Sequence, residues 1–160
     1  MNKHVTIRVP FRISFFGGGT DFPDYFNKYS GTVLGSTINK YSYVSVNLLE
    51  RILENHIKLS YSKLETVDRI DSLSHPIAKQ TLKQYSEFIN DFYVDIHSYA
   101  DLPAGTGIAS SSAFSVGLIN AINYLAGIYK NPKKIAEEAI DIERVKANLT
   151  GGWQDQIHCS

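Results

Sequence analysis

Hydrophobic and polar residues alternate along residues 4–10, where Val5, Ile7 and Val9 share one side of the chain. A period of two predicts a β-strand. Further extended segments are predicted by alternation or by runs rich in Val and Tyr. They span residues 11–16, 32–38, 41–48, 56–61 and 92–99. The pattern therefore predicts a sheet built mainly from the N-terminal two thirds of the chain.

Helical spacing replaces this alternation towards the C-terminus. Leu118, Ile122 and Leu125 are three and four positions apart, as on one face of a helix. Pro132 is favoured in a first helical turn, and Pro23 predicts a short helix near the N-terminus in the same way. The longer predicted helices span residues 76–89, 111–126 and about 132–147. Strands and helices together predict an α+β domain.

Composition excludes several classes of protein. The 160 residues are 43% hydrophobic and 20% charged with zero formal net charge, so neither nucleic acid nor a membrane surface is an expected partner. No apolar run approaches the roughly 18 residues of a spanning helix, and the N-terminus lacks a signal peptide. The single cysteine, Cys159, excludes an internal disulfide, and the pair His158 and Cys159 is predicted to be structural. These features predict a cytoplasmic protein.

A loop rich in glycine and serine precedes the helix predicted at residues 111–126. Residues 102–113 read Leu-Pro-Ala-Gly-Thr-Gly-Ile-Ala-Ser-Ser-Ser-Ala. The start of a helix has unpaired N–H groups and a partial positive charge, and Gly105 and Gly107 allow an anion close to the backbone. The hydroxyls of residues 110–112 can cap the helix, bind phosphate oxygens or ligate Mg²⁺. The loop therefore predicts phosphate binding.

Other glycine-rich loops fit less well. No lysine follows the glycines, as a Walker A loop requires, and the third glycine of a dinucleotide fingerprint is absent. The alternative to phosphate binding is a loop whose serines only cap the helix.

Glu143 lies on the apolar face of the helix predicted at residues 132–147, on one arc with Ala139. An unpaired carboxylate on a buried face is costly, so Glu143 needs a partner, and a cation is the best candidate. The alternative is a salt bridge at the rim of the helix with Arg144 or Lys146.

The serine-rich loop resembles the second motif of the GHMP kinases, the family of galactokinase, homoserine kinase and mevalonate kinase. That motif reads Pro-x-x-x-Gly-Leu-Gly-Ser-Ser-x-Ala. The matching residues are Pro103, Gly107, Ile108, Ala109, Ser110, Ser111 and Ala113. Ala109 departs from the family's glycine and would be strained if the backbone there requires a positive φ.

The resemblance implies that the loop binds the phosphates of ATP and that Ser111 is a ligand of Mg²⁺. The implied ATP-binding residues are Pro103, Gly105, Thr106, Gly107, Ile108, Ala109, Ser110, Ser111 and Ser112.

A second resemblance lies near the N-terminus, where these kinases carry Arg-x-x-x-x-Gly-x-x-x-Asp. Arg12 and Asp21 have this spacing, which implies that Asp21 orients the sugar and Arg12 stabilises the reacting oxygen. The implied substrate-binding residues are Gly18, Gly19, Thr20 and Asp21. Without the family, Asp21 reads as a helix-starting residue and Arg12 as a solvated strand residue.

Gly18 and Gly19 replace the Glu-His of galactokinases, which resembles the sugar-phosphate branch of the family, the D-glycero-D-manno-heptose 7-phosphate kinases in particular. Residues 151–156, Gly-Gly-Trp-Gln-Asp-Gln, resemble the segment that carries the catalytic aspartate. The resemblance implies that Asp155 is the general base and Glu143 the second Mg²⁺ ligand. The implied reaction is phosphorylation of a sugar or sugar-phosphate hydroxyl by ATP, at the anomeric 1-OH.

By resemblance the fold is the α+β GHMP kinase N-terminal domain, which is like ribosomal protein S5 domain 2, with a mixed sheet packed against helices. Residues 1–160 would be this ATP-binding domain, truncated before the family's C-terminal domain and inactive alone. The alternatives are a fucose- or galactose-type kinase, a non-catalytic nucleotide-binding paralogue, and an interaction domain that shares only the fold.

Overall fold

A computed structural model describes residues 3–50, 56–103 and 105–160 of the chain. Its strands form one five-stranded sheet in the order β1-β2-β5-β3-β4. The strands are β1 (His4–Phe16), β2 (Leu34–Glu50), β3 (Ile57–Ser60), β4 (Leu64–Val67) and β5 (Phe92–Ala100). Neighbours are antiparallel except β3 and β5, which are parallel, so the sheet is mixed as expected.

The helices complete an α+β domain, which confirms the predicted class. They are α1 (Pro23–Tyr29), α2 (Pro76–Gln84), α3 (Ser86–Ile89), α4 (Ser110–Leu125), α5 (Pro132–Ile140) and α6 (Gln154–Cys159). A short 3₁₀ turn spans Ile70–Ser72, and a π-helical segment, Asp141–Lys146, continues α5. Within the described residues, no helix is both long and apolar enough to span a bilayer.

Helix α4 is the centre of the core. It packs on β1 and β2, and α2, α5 and α6 surround it. Gly117 lets α4 approach the sheet closely, because a Cβ there would lie 2.7 Å from Cγ2 of Val44. The fully buried side chains include Phe11, Val44, Val46, Leu59, Ile96, Leu118, Ile119 and Ile122. The start of α4, and with it the serine-rich loop, is therefore fixed against the sheet.

The boundaries of several elements differ from the predictions. The segments predicted at 4–10 and 11–16 are the single strand β1, and those at 32–38 and 41–48 belong to β2. Pairing of β1 with β2 changes register between Pro10 and Arg12, and this irregularity breaks the alternation without ending either strand. Strand β4 was not predicted, because its sequence Leu-Glu-Thr-Val places two polar residues together and so does not alternate.

Two predicted helices change character along their length. Residues 76–89 form α2 and α3, which separate at Tyr85, where the backbone leaves the helical region. Residues 132–147 begin as α5 and continue as the π-helical segment that carries Glu143. Wider π turns rotate the side chains that follow, and they occur often at functional sites.

Candidate active site

The serine-rich loop leads from β5 into α4 with an open backbone. Gly105 and Gly107 have φ of 85° and 72°, and no atom lies within 4 Å of a Cβ built on either one. Such bare backbone leaves room for an anion. Ala104 lies outside the described residues; the other loop residues are described.

The serines at the start of α4 do not cap it. No side chain accepts a hydrogen bond from the first turn, and the buried Oγ of Ser110 has no hydrogen-bond partner among the described residues. Ser111 is exposed. The capping alternative is therefore not what the structure shows, and these hydroxyls are available to a ligand.

Ala109 has the left-handed backbone anticipated from its departure from the family motif, with φ of 69° and ψ of 36°. Its side chain is nevertheless buried in the core beneath α4. The loop therefore keeps the shape that the family's glycine would give it, at the cost of a strained alanine.

A cavity of about 650 Å³ opens in front of the loop. Pro103, Ser110 and Ser111 line one side. Aromatic residues that the sequence did not indicate line the rest: Tyr61, His75, Tyr99 and Phe114. Tyr61 and His75 are distant from the loop along the chain, whereas Tyr99 and Phe114 flank it; the one sequence signal among the four is His75-Pro76 at a helix start.

His75 forms part of this cavity wall, and its contacts define its protonation state. Its ring centroid lies 4.9 Å from that of Tyr61 and 4.8 Å from that of Phe114. Nδ1 accepts a hydrogen bond from the backbone N–H of Ala78 at 3.3 Å. Burial lowers the pKa of His75, so the imidazole is neutral near pH 7 and carries its proton on Nε2.

Arg12 joins the predicted base to the predicted phosphate loop. Its Nε donates to Oδ1 of Asp155 at 2.8 Å, and Nη2 donates to the same oxygen. Nη1 donates to the carbonyl oxygen of Gly107 at 2.8 Å, and the backbone N–H of Arg12 donates to Ile108 O at 3.3 Å. Arg12 is only 7% exposed, so this pairing is partly withdrawn from water. Three distant segments of the chain meet at this one side chain.

Glu143 is completely buried beside the start of α4. Its Oε2 accepts a hydrogen bond from Ser112 Oγ at 3.1 Å, and Nε2 of Gln156 donates to that hydroxyl at 3.0 Å. Oε1 has no hydrogen-bond partner among the described residues. Burial raises the pKa of Glu143. Ser112 and Gln156 were not predicted as partners of this carboxylate.

The cations considered for Glu143 differ in their position. Arg144 Nη2 lies 3.8 Å from Oε2, whereas Lys146 pairs with Asp141 at 2.6 Å. Lys146 therefore pairs with Asp141 and not with Glu143, and the ion pair between Arg144 and Glu143 is long.

The residues present fit a magnesium ion. A buried carboxylate with an unpaired oxygen is costly, and a hard cation would satisfy it. Among the described residues, no cluster of three His, Cys, Asp or Glu could hold a metal ion without other ligands. One carboxylate and one hydroxyl, completed by phosphate oxygens and water, are a usual set for Mg²⁺. The serine that contacts Glu143 is Ser112, and the predicted Ser111 faces the cavity.

Asp21 contacts the segment that precedes Asp155. Its Oδ2 accepts from the backbone N–H of Gln154 at 3.1 Å, and Oδ1 accepts from Gly19 at 3.0 Å. Gly18 lies beside Gln154, with 3.6 Å from a built Cβ to Nε2. The hydroxyl of Thr20 donates within the turn, to Gly17 O at 2.7 Å. The structure therefore places the predicted substrate residues next to the predicted base.

His158 and Cys159 lie on α6 behind this site. Nδ1 of His158 is 2.7 Å from the carbonyl oxygen of Gln154, and Cys159 is buried. Burial raises the pKa of the Cys159 thiol to about 12, so the thiol is neutral and unreactive near pH 7. Both residues have the surroundings of structural side chains.

Comparison with known proteins gives a family match. The family described as the GHMP kinases N terminal domain matches residues 76–160. The chain is 31% identical to D-glycero-alpha-D-manno-heptose 7-phosphate kinase of Campylobacter jejuni, over 96% of this chain and 47% of the relative. It is 26% identical to L-fucokinase/L-fucose-1-P guanylyltransferase of Bacteroides fragilis, over 93% of this chain and 18% of that protein.

The fold has close counterparts among solved structures. A D-glycero-D-manno-heptose 1-phosphate kinase from Bacteriodes thetaiotaomicron superposes with a TM-score of 0.77 at 24% identity. The superposition covers 95% of this chain and 52% of that one. The chain spans about half the length of this structure, and 47% of the curated C. jejuni relative.

Proposed function

The chain belongs to the GHMP kinase family, and from this premise we propose that it forms the ATP-binding domain of a sugar kinase. The acceptor is a hydroxyl of a sugar or sugar phosphate, and specifically the anomeric 1-OH of D-glycero-D-manno-heptose 7-phosphate. The name of the C. jejuni relative and the side-chain-free pair Gly18 and Gly19 support this acceptor. A bulky or phosphorylated sugar needs the space that these glycines leave beside Asp21.

One observation carries the proposal: Arg12 contacts Asp155 and the phosphate loop at the same time. A phosphoryl group bound at Gly107 and an acceptor hydroxyl held at Asp155 would thus be neighbours. In phosphoryl transfer most of the catalysis is positioning and charge stabilisation, which is what this junction supplies.

The proposed roles follow from which atoms are engaged. Nε and Nη2 of Arg12 both donate to Oδ1 of Asp155, so Oδ2 accepts the proton of the attacking hydroxyl. The guanidinium stabilises the charge that develops between the hydroxyl and the phosphoryl group. Asp21 accepts hydrogen bonds from sugar hydroxyls and orients the ring.

In this proposal the nucleotide binds to the serine-rich loop and in the cavity in front of it. The backbone N–H groups at the start of α4, with the free hydroxyls of Ser110 and Ser111, bind the phosphates. The aromatic wall around His75 provides the apolar surface that a nucleotide base needs. Glu143, with the Ser112 hydroxyl that donates to it and Ser111 at the cavity, would hold Mg²⁺, which when bound offsets the negative charge of the phosphates.

A panel of acceptors tests this function on the full-length protein. With ATP and Mg²⁺ we expect ADP formation with D-glycero-D-manno-heptose 7-phosphate and little with galactose or fucose. Preferred turnover of fucose or galactose would assign the protein to the other sugar kinases of the family. ATP binding by calorimetry without turnover of any acceptor would identify a non-catalytic paralogue.

Asp155→Asn tests the proposed base in the same assay. The asparagine keeps the shape but cannot take the proton, so we expect kcat to fall by roughly 10²–10⁴. Asp68→Asn, in the β4–α2 connection, is the matched control and should leave kcat unchanged. Near-wild-type turnover of Asp155→Asn would remove the assignment.

A further inference from the structure

Residues 150–152 form a turn between the π-helical segment and α6, and its two glycines face opposite charged groups. A Cβ on Gly151 would lie 2.7 Å from Cζ of Arg144, and a Cβ on Gly152 would lie 1.9 Å from Oδ2 of Asp21. Real Cβ atoms essentially never come within 3.0 Å of another heavy atom. The turn is therefore enclosed between Arg144 on one side and Asp21 on the other.

The guanidinium of Arg144 forms hydrogen bonds with both ends of this turn. Nε donates to the carbonyl oxygen of Gly152 at 3.2 Å, and Nη1 donates to that of Thr150 at 3.1 Å. Nη2 lies 3.8 Å from Oε2 of Glu143. The rigid fork of a guanidinium can span two carbonyls, whereas a lysine ammonium offers a single point of attachment.

Asp21 is bonded to the far side of the same turn. Its carboxylate accepts from the N–H of Gln154, and its backbone carbonyl accepts from the N–H of Trp153 at 3.2 Å. The orientation of Asp21 therefore depends on where the turn and the first residues of α6 lie. Asp155 is the next residue after Gln154, so the predicted base depends on the same contacts.

We propose that Arg144 is a positioning residue, which acts through the turn at 150–152 to set Asp21 and Asp155. The proposal rests on the proposed function, because it gives Asp21 and Asp155 their roles towards the acceptor. Arg144 touches neither the phosphate loop nor the cavity in the described contacts. Its loss therefore weakens acceptor binding first; on the nucleotide side it affects only the 3.8 Å ion pair with Glu143, whose positive charge a lysine at this position retains.

Hydrogen–deuterium exchange of the full-length protein tests the mechanical part independently of activity. In Arg144→Lys the backbone N–H groups of Trp153 and Gln154 should exchange faster, on the order of tenfold, because their acceptor Asp21 is less firmly held. Amides of the β3–β4 pair should not change, which separates this effect from global destabilisation. Unchanged exchange at Trp153 and Gln154, or equal acceleration everywhere, would overturn the proposal.

Kinetics test the functional part. Arg144→Lys should raise KM for the acceptor on the order of tenfold while the Kd of ATP, measured without acceptor, stays within about twofold. Gly152→Ala places a methyl group against the Asp21 carboxylate. It should likewise raise KM for the acceptor and leave the Kd of ATP unchanged. Arg8→Lys is the control, an exposed arginine over the ring of Tyr41. Equal losses for acceptor and ATP would contradict a positioning role.

The two proposals fail differently. A wild-type protein that binds ATP but phosphorylates no acceptor would overturn the proposed function. The exchange experiment would then decide by itself whether Arg144 holds Asp21 through the turn.

Discussion

Ala109 has a left-handed backbone at a position where the family motif carries glycine, and three contributions to its stability nearly cancel. A Cβ in this conformation costs roughly 1–2 kcal/mol. Glycine would remove that strain, but it adds about 0.4–1 kcal/mol of unfolded-state entropy and gives up a buried methyl group worth about 0.8 kcal/mol. The alanine is therefore tolerated, because the strain that it adds is matched by what it buries.

We expect Ala109→Gly to change the free energy of unfolding by less than about 1 kcal/mol. Ala109→Val should lower it by about 2 kcal/mol or more, because a β-branched side chain is a strong outlier at positive φ. Chemical denaturation measures both. Ala126→Val, a half-buried alanine with right-handed backbone, is the matched control. A large stabilisation by Ala109→Gly would show that strain outweighs the other two contributions.

Glu143 makes stability depend on pH in a direction unusual for a carboxylate. Burial raises its pKa above the ordinary value of 4.5, so the unfolded chain loses this proton at lower pH than the folded one does. The contribution of Glu143 to the free energy of unfolding is therefore greatest below pH 4.5. It falls as pH rises to the pKa of the folded state, and above that pKa it no longer changes with pH.

In metal-free buffer with chelator, Glu143→Gln should be more stable than the wild type at neutral pH. The difference should shrink towards acid pH, with a slope of at most about 1.4 kcal/mol per pH unit for one proton. Denaturant unfolding at several pH values measures this difference. Glu137→Gln, on the surface of α5, should show no such trend. An advantage for Glu143→Gln that is the same at every pH would contradict the raised pKa.

At the scale of elements, the distance between α4 and the sheet is set by Gly117. Alanine there would gain about 1 kcal/mol in helix propensity, but overpacking against the stiff side chain of Val44 costs typically 1–3 kcal/mol. We expect Gly117→Ala to destabilise the protein by about 1 kcal/mol.

A double-mutant cycle distinguishes the two effects. In a Val44→Ala background the nearest methyl group is gone and the contacts that remain are 3.2 and 3.3 Å, so Gly117→Ala should become stabilising by up to about 1 kcal/mol. Calorimetric or denaturant unfolding of the four proteins measures the coupling. If the effect of Gly117→Ala has the same sign in both backgrounds, contact with Val44 does not set the spacing.

Strongly periodic elements could be predicted from the sequence, and irregular ones could not. Helix α4 has its apolar spacing and a clear loop before it, and α+β architecture follows from the mixture of periods. The π-helical turn around Glu143 leaves no periodic signal, because one helical period describes residues on either side of it. Strand β4 pairs through backbone groups, and its two adjacent polar residues, Glu65 and Thr66, break the alternation.

The candidate site shows the same division. Individual residues such as Arg12 and Asp155 were found from spacing within motifs, because each motif is local in the chain. Their mutual contact, and the hydrogen bond of Ser112 to Glu143, depend on tertiary packing across long separations. Two residues of the aromatic wall, Tyr61 and His75, come from segments that carry no motif.

At the scale of the whole molecule, the chain covers 47% of the C. jejuni relative and 52% of the solved heptose-phosphate kinase structure. It carries the loop, the proposed base and the proposed sugar contacts. The remaining half of these two relatives has no counterpart in residues 1–160, and we expect that half to complete the site around the acceptor.

We therefore expect residues 1–160 alone to bind ATP but to give no measurable turnover of any acceptor. Water would reach the bound phosphates, and closure around the acceptor would be missing. Titration calorimetry with ATP and Mg²⁺, beside an ADP-release assay, measures the two properties separately. Acceptor-dependent turnover by these residues alone would show that the half is a sufficient enzyme.

The change of register between Pro10 and Arg12 divides β1 into two stretches that contact different parts of the protein. Phe11 and Arg12 are consecutive yet both buried, which a regular strand with alternating faces does not allow. Before the irregularity, the inward side chains of β1 face the core. After it, the strand is offset, and its inward side chains face the candidate site. A one-residue deletion ahead of Pro10 would thus act through the core, and one just after Arg12 would act through the contacts of Ser14 and Asp21 with Gln154. Selection on folding and selection on catalysis can act on the two stretches of the same strand separately.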